Sequence, residues 1–161
     1  MLQDYDAFRR PDWFRITLDG IQAGDFREVK GLEVAIPIEE YAEGGLNDHA
    51  HKLPGQARFS TILLRRGSSQ SLELFDWIQS AMRGELEFRS GSIMALNAVE
   101  EPVLIWEFRK AWPCRYEGSD FDRAKPQLHI ETLELGHHGF ALRRAPGSGL
   151  SGPKASSPPA G

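Results

Sequence analysis

The chain has 161 residues, 40% of them hydrophobic and 26% charged, with a formal net charge of −4. That is one domain with room for a real core, and it carries no overall basic footprint for nucleic acid. A single cysteine, Cys114, excludes an intrachain disulfide and a cysteine-based zinc cage. The opening MLQDYDAFRRPDWF has no basic region followed by an apolar run, and no apolar stretch approaches membrane-spanning length. Synthesis and folding in the cytosol are therefore expected, with no membrane anchor, though an assembly built from the chain can leave by lysis.

In chain order, Trp13–Asp19 alternates, with Phe14, Ile16 and Leu18 on one face, and Asp19-Gly20 is a strong turn signal. Phe26–Tyr41 reads as a strand in which Leu32, Val34, Ile36 and Ile38 oppose Glu33, Ala35, Pro37 and Glu39. Gly31 marks a bulge or a close backbone approach, and Pro37 removes a ladder donor and places this strand at an edge or bend. A polar, Gly-rich connection follows, and strand character returns over Ala57–Arg66. Ser71–Arg83 is the one convincing helix, with Leu74, Phe75, Ile78, Ala81 and Met82 on one side and a serine, Ser69 or Ser71, able to cap its start. A lone amphipathic helix has to cover a sheet or the mouth of a barrel.

Glu85–Arg89 and Ser92–Asn97 read as short strands separated by Ser90-Gly91. Val103–Lys110 is a clearer strand, from which Ala111–Gly118 is expected to turn away. Leu128–Gly136 is the last, with its apolar positions out of phase across a bulge near Thr132. From residue 145 the composition becomes APGSGLSGPKASSPPAG, a Pro/Gly/Ser-rich stretch expected to be disordered. The expectation is one domain over 1–144 and a tail over 145–161. The fold class is mainly β, two packed sheets forming a small barrel-like sandwich with one flanking helix.

Candidate chemistry is thin. Asp48, His49 and His51 lie close together, and His137-His138 form a second pair, but a metal site needs further ligands brought from afar. Surface hydrogen-bonding histidines are the plainer reading. A Cys-His hydrolase would need Cys114, a histidine and an acid such as Asp120 or Asp122, yet no nucleophile-elbow pattern surrounds the cysteine. Gly44-Gly45 and Gly118 lack the spacing of a phosphate loop. The carboxylates of Glu39-Glu40 and of Glu100-Glu101 are adjacent, so on a strand they point to opposite sides and make no acid/base couple. The doubled arginines, Arg65-Arg66 and Arg143-Arg144 among them, suit salt bridges or a solvated rim. No catalytic residue, cofactor or metal is expected. What stands out is the connection between the two strands, some eleven residues with a few apolar anchors; segments of that kind are often functional.

Five stretches, in order, resemble the tail tube proteins of contractile phage tails and related extracellular contractile injection systems. They are FxEVxGLE from Phe26, the YxEGGxN…HxLPG loop from Tyr41, LxRG before the helix, WxFxxAWPxxYxG from Trp106, and IETLELxHxGF from Ile130. The likeness runs over about residues 11–140. It implies two packed sheets with a flanking helix, six copies closing into a ring, and rings stacking into a rigid tube inside a contractile sheath. Sheets of adjacent subunits would join to line the lumen. Tyr41, Glu43, Gly44, Gly45, Asn47, His51, Leu53, Pro54 and Gly55 would belong to an extended loop reaching a neighbouring subunit and the adjacent ring.

The segment before Trp13 and the region Trp112–Gly118 are further candidate interfaces. Glu33, Glu39 and Glu107, which alternate with apolar partners, are candidates for a polar lumen wall. The implied partners are further copies of the chain, a sheath protein, baseplate, hub and tube-initiator proteins, and lumen cargo. DNA would pass through the lumen if the particle is a true phage, and no specific nucleic acid is implied for an injection system. Two alternatives stay open: a baseplate-proximal tube initiator of the same fold, and a ring-forming secreted effector or chaperone of a related secretion system.

Overall fold

A computed structural model describes residues 11–41, 51–69, 71–118 and 128–145. The strands are β1 (Trp13–Leu18), β2 (Ile21–Lys30), β3 (Val34–Ala35), β4 (Ile38–Tyr41), β5 (His51–Pro54), β6 (Arg58–Phe59), β7 (Ile62–Ser69), β8 (Arg89–Leu96), β9 (Pro102–Gly118), β10 (Leu128–Gly136) and β11 (Phe140–Arg144), with one helix, α1 (Leu72–Met82), between β7 and β8. The mainly β composition with a single helix agrees with the sequence. The pairing differs in detail. Seven strands form one continuous sheet in the order β10-β7-β2-β1-β8-β9-β11, and β10 also pairs with β9. The run β7-β2-β1-β8-β9 therefore begins and ends on β10, in place of two separate large sheets. Two short ribbons, β3-β6 and β4-β5, complete the set.

Local chemistry explains the first hairpin. Asp19 and Gly20 both hold positive φ, 52° and 83°, so a two-residue turn matches the strand twist and sets Leu18 opposite Ile21. That turn starts β2 earlier than the expected Phe26. The expected long strand Phe26–Tyr41 is broken at 31–33. Gly31 has φ 81°, and a Cβ there would collide with the Thr61 carbonyl, so the close approach read from the glycine is present.

Gly91 has a different role from the expected separator. It sits inside β8, where a Cβ would collide with the Thr17 carbonyl and press on the Phe108 ring. Residues 85–88, expected as a strand, are irregular. Ala111–Gly118 does not turn away either. Lys110 takes φ 48° and bends β9, whose first part lies between β8 and β11 and whose second part pairs with β10. The register against β9 shifts between Ile130 and Thr132, where the bulge was expected.

Inward-facing side chains of the sheet, Ile16, Leu18, Phe26, Ile62, Leu64, Ile93, Phe108 and Leu133 among them, form one core with α1 laid on it. Ser71 caps the helix, its hydroxyl accepting from the Glu73 N–H at 3.2 Å. Leu74, Trp77 and Ile78 are the helix's buried positions. The expected helix face is thus rotated: Trp77 replaces Met82, which is 76% exposed. The Trp77 Nε1–H donates to the Glu87 carbonyl at 2.8 Å, so burying the indole strands no donor. Ala145 is 4% exposed and its N–H donates to the Val103 carbonyl at 3.4 Å. Residues 146–161 lie outside the described residues.

Candidate assembly arm and edge strand

Residues 34–41 and 51–59 form a two-stranded ribbon that leaves the core. At its base Val34 pairs with Phe59 and Ala35 with Arg58; farther out Ile38 pairs with Pro54, Glu39 with Leu53, Glu40 with Lys52 and Tyr41 with His51. Between the two short ladders Pro37, which has no N–H to give, uses its carbonyl to accept from the Gly55 N–H at 2.8 Å. The strands flanking the polar connection thus pair with each other. Of the loop residues implied by the resemblance, Tyr41, His51, Leu53 and Pro54 are exposed and Gly55 is half-buried. Glu43, Gly44, Gly45 and Asn47 lie outside the described residues, as do Asp48 and His49.

The ribbon is apolar without being buried. Val34 is 49% exposed, Ile36 58%, Ile38 68% and Leu53 54%. The strand read from the sequence is here two short pieces, β3 and β4, interrupted at Ile36-Pro37, and its apolar residues Val34, Ile36 and Ile38 all meet solvent.

The ribbon's root is fixed by a small polar and aromatic set. The Ser60 hydroxyl donates to Glu33 Oε1 at 2.7 Å. His137, on the turn between β10 and β11, lies 2.8 Å through Nε2 from the Ser60 carbonyl, while its Nδ1 accepts from the Gly139 N–H at 3.0 Å. That pairing assigns the proton to Nε2 of a neutral ring. Phe59 packs edge-on against both His137 and Phe140, with centroids 5.8 and 5.4 Å apart. Nothing local to His137-His138 announces this role, because Ser60 is 77 residues away. His137→Ala removes both bonds, at about 0.5–1.5 kcal/mol each. The expected outcome is a fold that persists with faster amide exchange confined to 58–61 and 137–140. Exchange unchanged there would contradict the assignment.

Beside the root runs β11, which among the described residues pairs with β9 alone, so its other edge has no strand partner among them. Its Leu142 is 58% exposed. Arg143 on this strand bridges to Glu107 Oε1 at 2.5 Å. Of the three glutamates proposed for a polar wall, Glu107 is therefore half-buried and ion-paired on β9, Glu33 is exposed at the arm's root, and Glu39 is exposed on the arm. They lie on different elements, and no contact joins them.

The chemical alternatives find little geometry. Among the described residues no group of three or more His, Cys, Asp or Glu side chains is placed to hold a metal. Burial pushes the Cys114 thiol up, away from the thiolate that a nucleophile requires. His138 packs edge-on against Trp112 and Phe88, and Asp120 and Asp122 lie outside the described residues.

The model of the T4-like virus tail tube protein gp19 family matches residues 10–141. Among solved structures, a chain of the anti-feeding prophage baseplate, six-fold symmetrised, is 26% identical, covers 82% of this chain and 91% of its own, and has a TM-score of 0.61. A chain of the extended sheath–tube complex of an extracellular contractile injection system is 22% identical over 90% of this chain and 99% of its own, with a TM-score of 0.64. A chain of the anti-feeding prophage cap that terminates the tube is 23% identical over 82% and 88%, with a TM-score of 0.60. The last two likenesses are of fold. No curated protein matches the chain in sequence.

Proposed function

Since the chain belongs to the T4-like virus tail tube protein family, a family of structural rather than catalytic proteins, we propose that it is the repeating subunit of the rigid inner tube of a phage tail or contractile injection system. Six copies close into a ring, and rings stack into a hollow tube. Sheath contraction then drives the tube through the target envelope. The subunit is made and assembled in the cytoplasm and ends in a particle that can be released. Its partners are further copies, a sheath protein, baseplate and hub proteins, and whatever the lumen carries. On this reading the sheet, whose run begins and ends on β10, is a barrel-like wall, and the open edge of β11 continues into a neighbour's sheet. Glu33, Glu39 and Glu107 are proposed as lumen-facing.

The observation that carries the reading is the arm. Val34, Ile36, Ile38 and Leu53 are each about half exposed or more on this one ribbon, and exposed apolar side chains gathered in one place mark a surface suited to a neighbour. Tyr41–Gly55 would be the contact loop. A head-to-tail contact that closes makes a ring, and a second contact along the axis propagates a filament.

The 26% likeness to a baseplate chain favours one second reading, a baseplate-proximal tube initiator of the same fold. Copy number separates the two, since a tube subunit greatly outnumbers an initiator in the purified particle. Sedimentation of the expressed protein tests the shared core of both readings. A species of six chain masses, with larger stacks at higher concentration, is expected. Sedimentation as a monomer throughout would contradict both.

A further inference from the structure

Ring and stack contacts of the head-to-tail kind join two different surfaces of the same chain, so the arm requires a receptor elsewhere on the subunit. Exposed large apolar side chains outside the arm are concentrated at one other place, on α1 and the residues after it: Leu72 (75% exposed), Met82 (76%), Leu86 (55%) and Phe88 (54%). Of these Met82 also lines a groove of about 480 Å³ between α1 and β9, whose other wall residues are Phe75, Ile78, Gln79, Arg83 and Tyr116. We propose that this groove is the seat of the arm of a second copy. The inference rests on the tube-subunit reading and adds the receptor to it.

Three observations on the two surfaces fit together. The groove wall is mostly apolar, as are Ile36, Ile38 and Leu53 on the arm. Among the described residues β4 and β5 each pair on one side only, so their outer edges carry backbone N–H and C=O groups with no strand partner there. The charges also match. Arg83 stands at the groove's rim at the C-terminal end of α1, with a weak 3.5 Å contact to Glu85, and the arm brings the exposed carboxylates of Glu39 and Glu40. An occupant with apolar anchors, open strand edges and acidic flanks is a second copy's arm.

A disulfide trap tests this. In a Cys114→Ser background, Leu53→Cys and Met82→Cys together are oxidised in the assembled particle and separated under denaturing, non-reducing conditions. A ladder of covalent multimers that collapses with reductant, and that neither single-cysteine chain produces, is expected. Tubes that form normally yet run as single chains, or a ladder obtained with Leu53→Cys and Leu142→Cys instead, would overturn the groove assignment and leave the tube reading standing. A Cys114→Ser parent that forms no rings or tubes, matching an unassembled wild type, counts against the tube reading itself.

Should the double variant fail to assemble, Arg83→Gln decides. Arg83 is exposed at the groove's rim, so the monomer should melt near the parent's temperature, while its tubes dissociate at lower urea than the parent's because the arm's carboxylates lose their partner. Tubes as resistant as the parent's would overturn the proposal.

Discussion

Replacing Ile36 and Ile38 together by aspartate leaves the subunit folded and abolishes its assembly. Both side chains are more than half exposed in the isolated subunit, so the substitutions disturb no core contact. In an assembled contact each isoleucine contributes about 1.5–3 kcal/mol by burial, and each aspartate adds the cost of desolvating a charge. Loss of two such anchors weakens each subunit contact by on the order of a thousandfold or more, since about 1.4 kcal/mol is a factor of ten. In a ring every subunit makes that contact, so the losses compound. Far-ultraviolet circular dichroism and the melting temperature should match the parent, and sedimentation should show only monomer. Variant rings that persist at the parent's concentration would remove the arm from the assembly contact.

Trp77→Ala acts on the opposite link and is expected to cost the fold. The indole is 1% exposed at the centre of the helix–sheet contact, and its N–H is committed to the Glu87 carbonyl. Truncations of this size cost about 3–5 kcal/mol, a large share of the roughly 5–15 kcal/mol that holds a domain of this class together. The urea midpoint of the monomer should fall steeply at an unchanged slope. A midpoint equal to the parent's would mean that α1 does not close the core as described.

These two substitutions separate what local chemistry writes into a sequence from what it leaves to distant partners. The hairpin at Asp19-Gly20, a cap at Ser69 or Ser71 and a bulge or close approach at Gly31 were legible because each follows from a residue's own local chemistry, and the structure selects Ser71 and the close approach. The helix face was read partly out of place: Leu74 and Ile78 are buried, Phe75 and Ala81 are half-buried and Met82 is exposed, while Trp77, outside the expected face, is buried with its N–H on the Glu87 carbonyl. Gly91 looked like punctuation, and only its crossing with Thr17 and Phe108 explains it. The length of β9 and the existence of β11 depend on pairings with strands far away in sequence, to which no local period points.

The arm is the instructive case. Period-two alternation over Leu32, Val34, Ile36 and Ile38 reads as one strand face, yet the structure breaks that strand at 31–33 and 36–37. In the subunit that face is only partly covered, with Leu32 half-buried at the base and the rest exposed. On the proposed reading those exposed residues are buried only in the assembled tube. The His137 clip holds the arm's root to the body, and on the proposed tube reading the β11 edge is where a neighbour's strand would pair.

Electron microscopy of the concentrated wild-type protein, and of the particle purified with it, tests the central claim most directly. Six-fold rings, or hollow tubes built from them, are the predicted images. A strictly monomeric protein at high concentration, absent from any tube-like particle, would contradict the account.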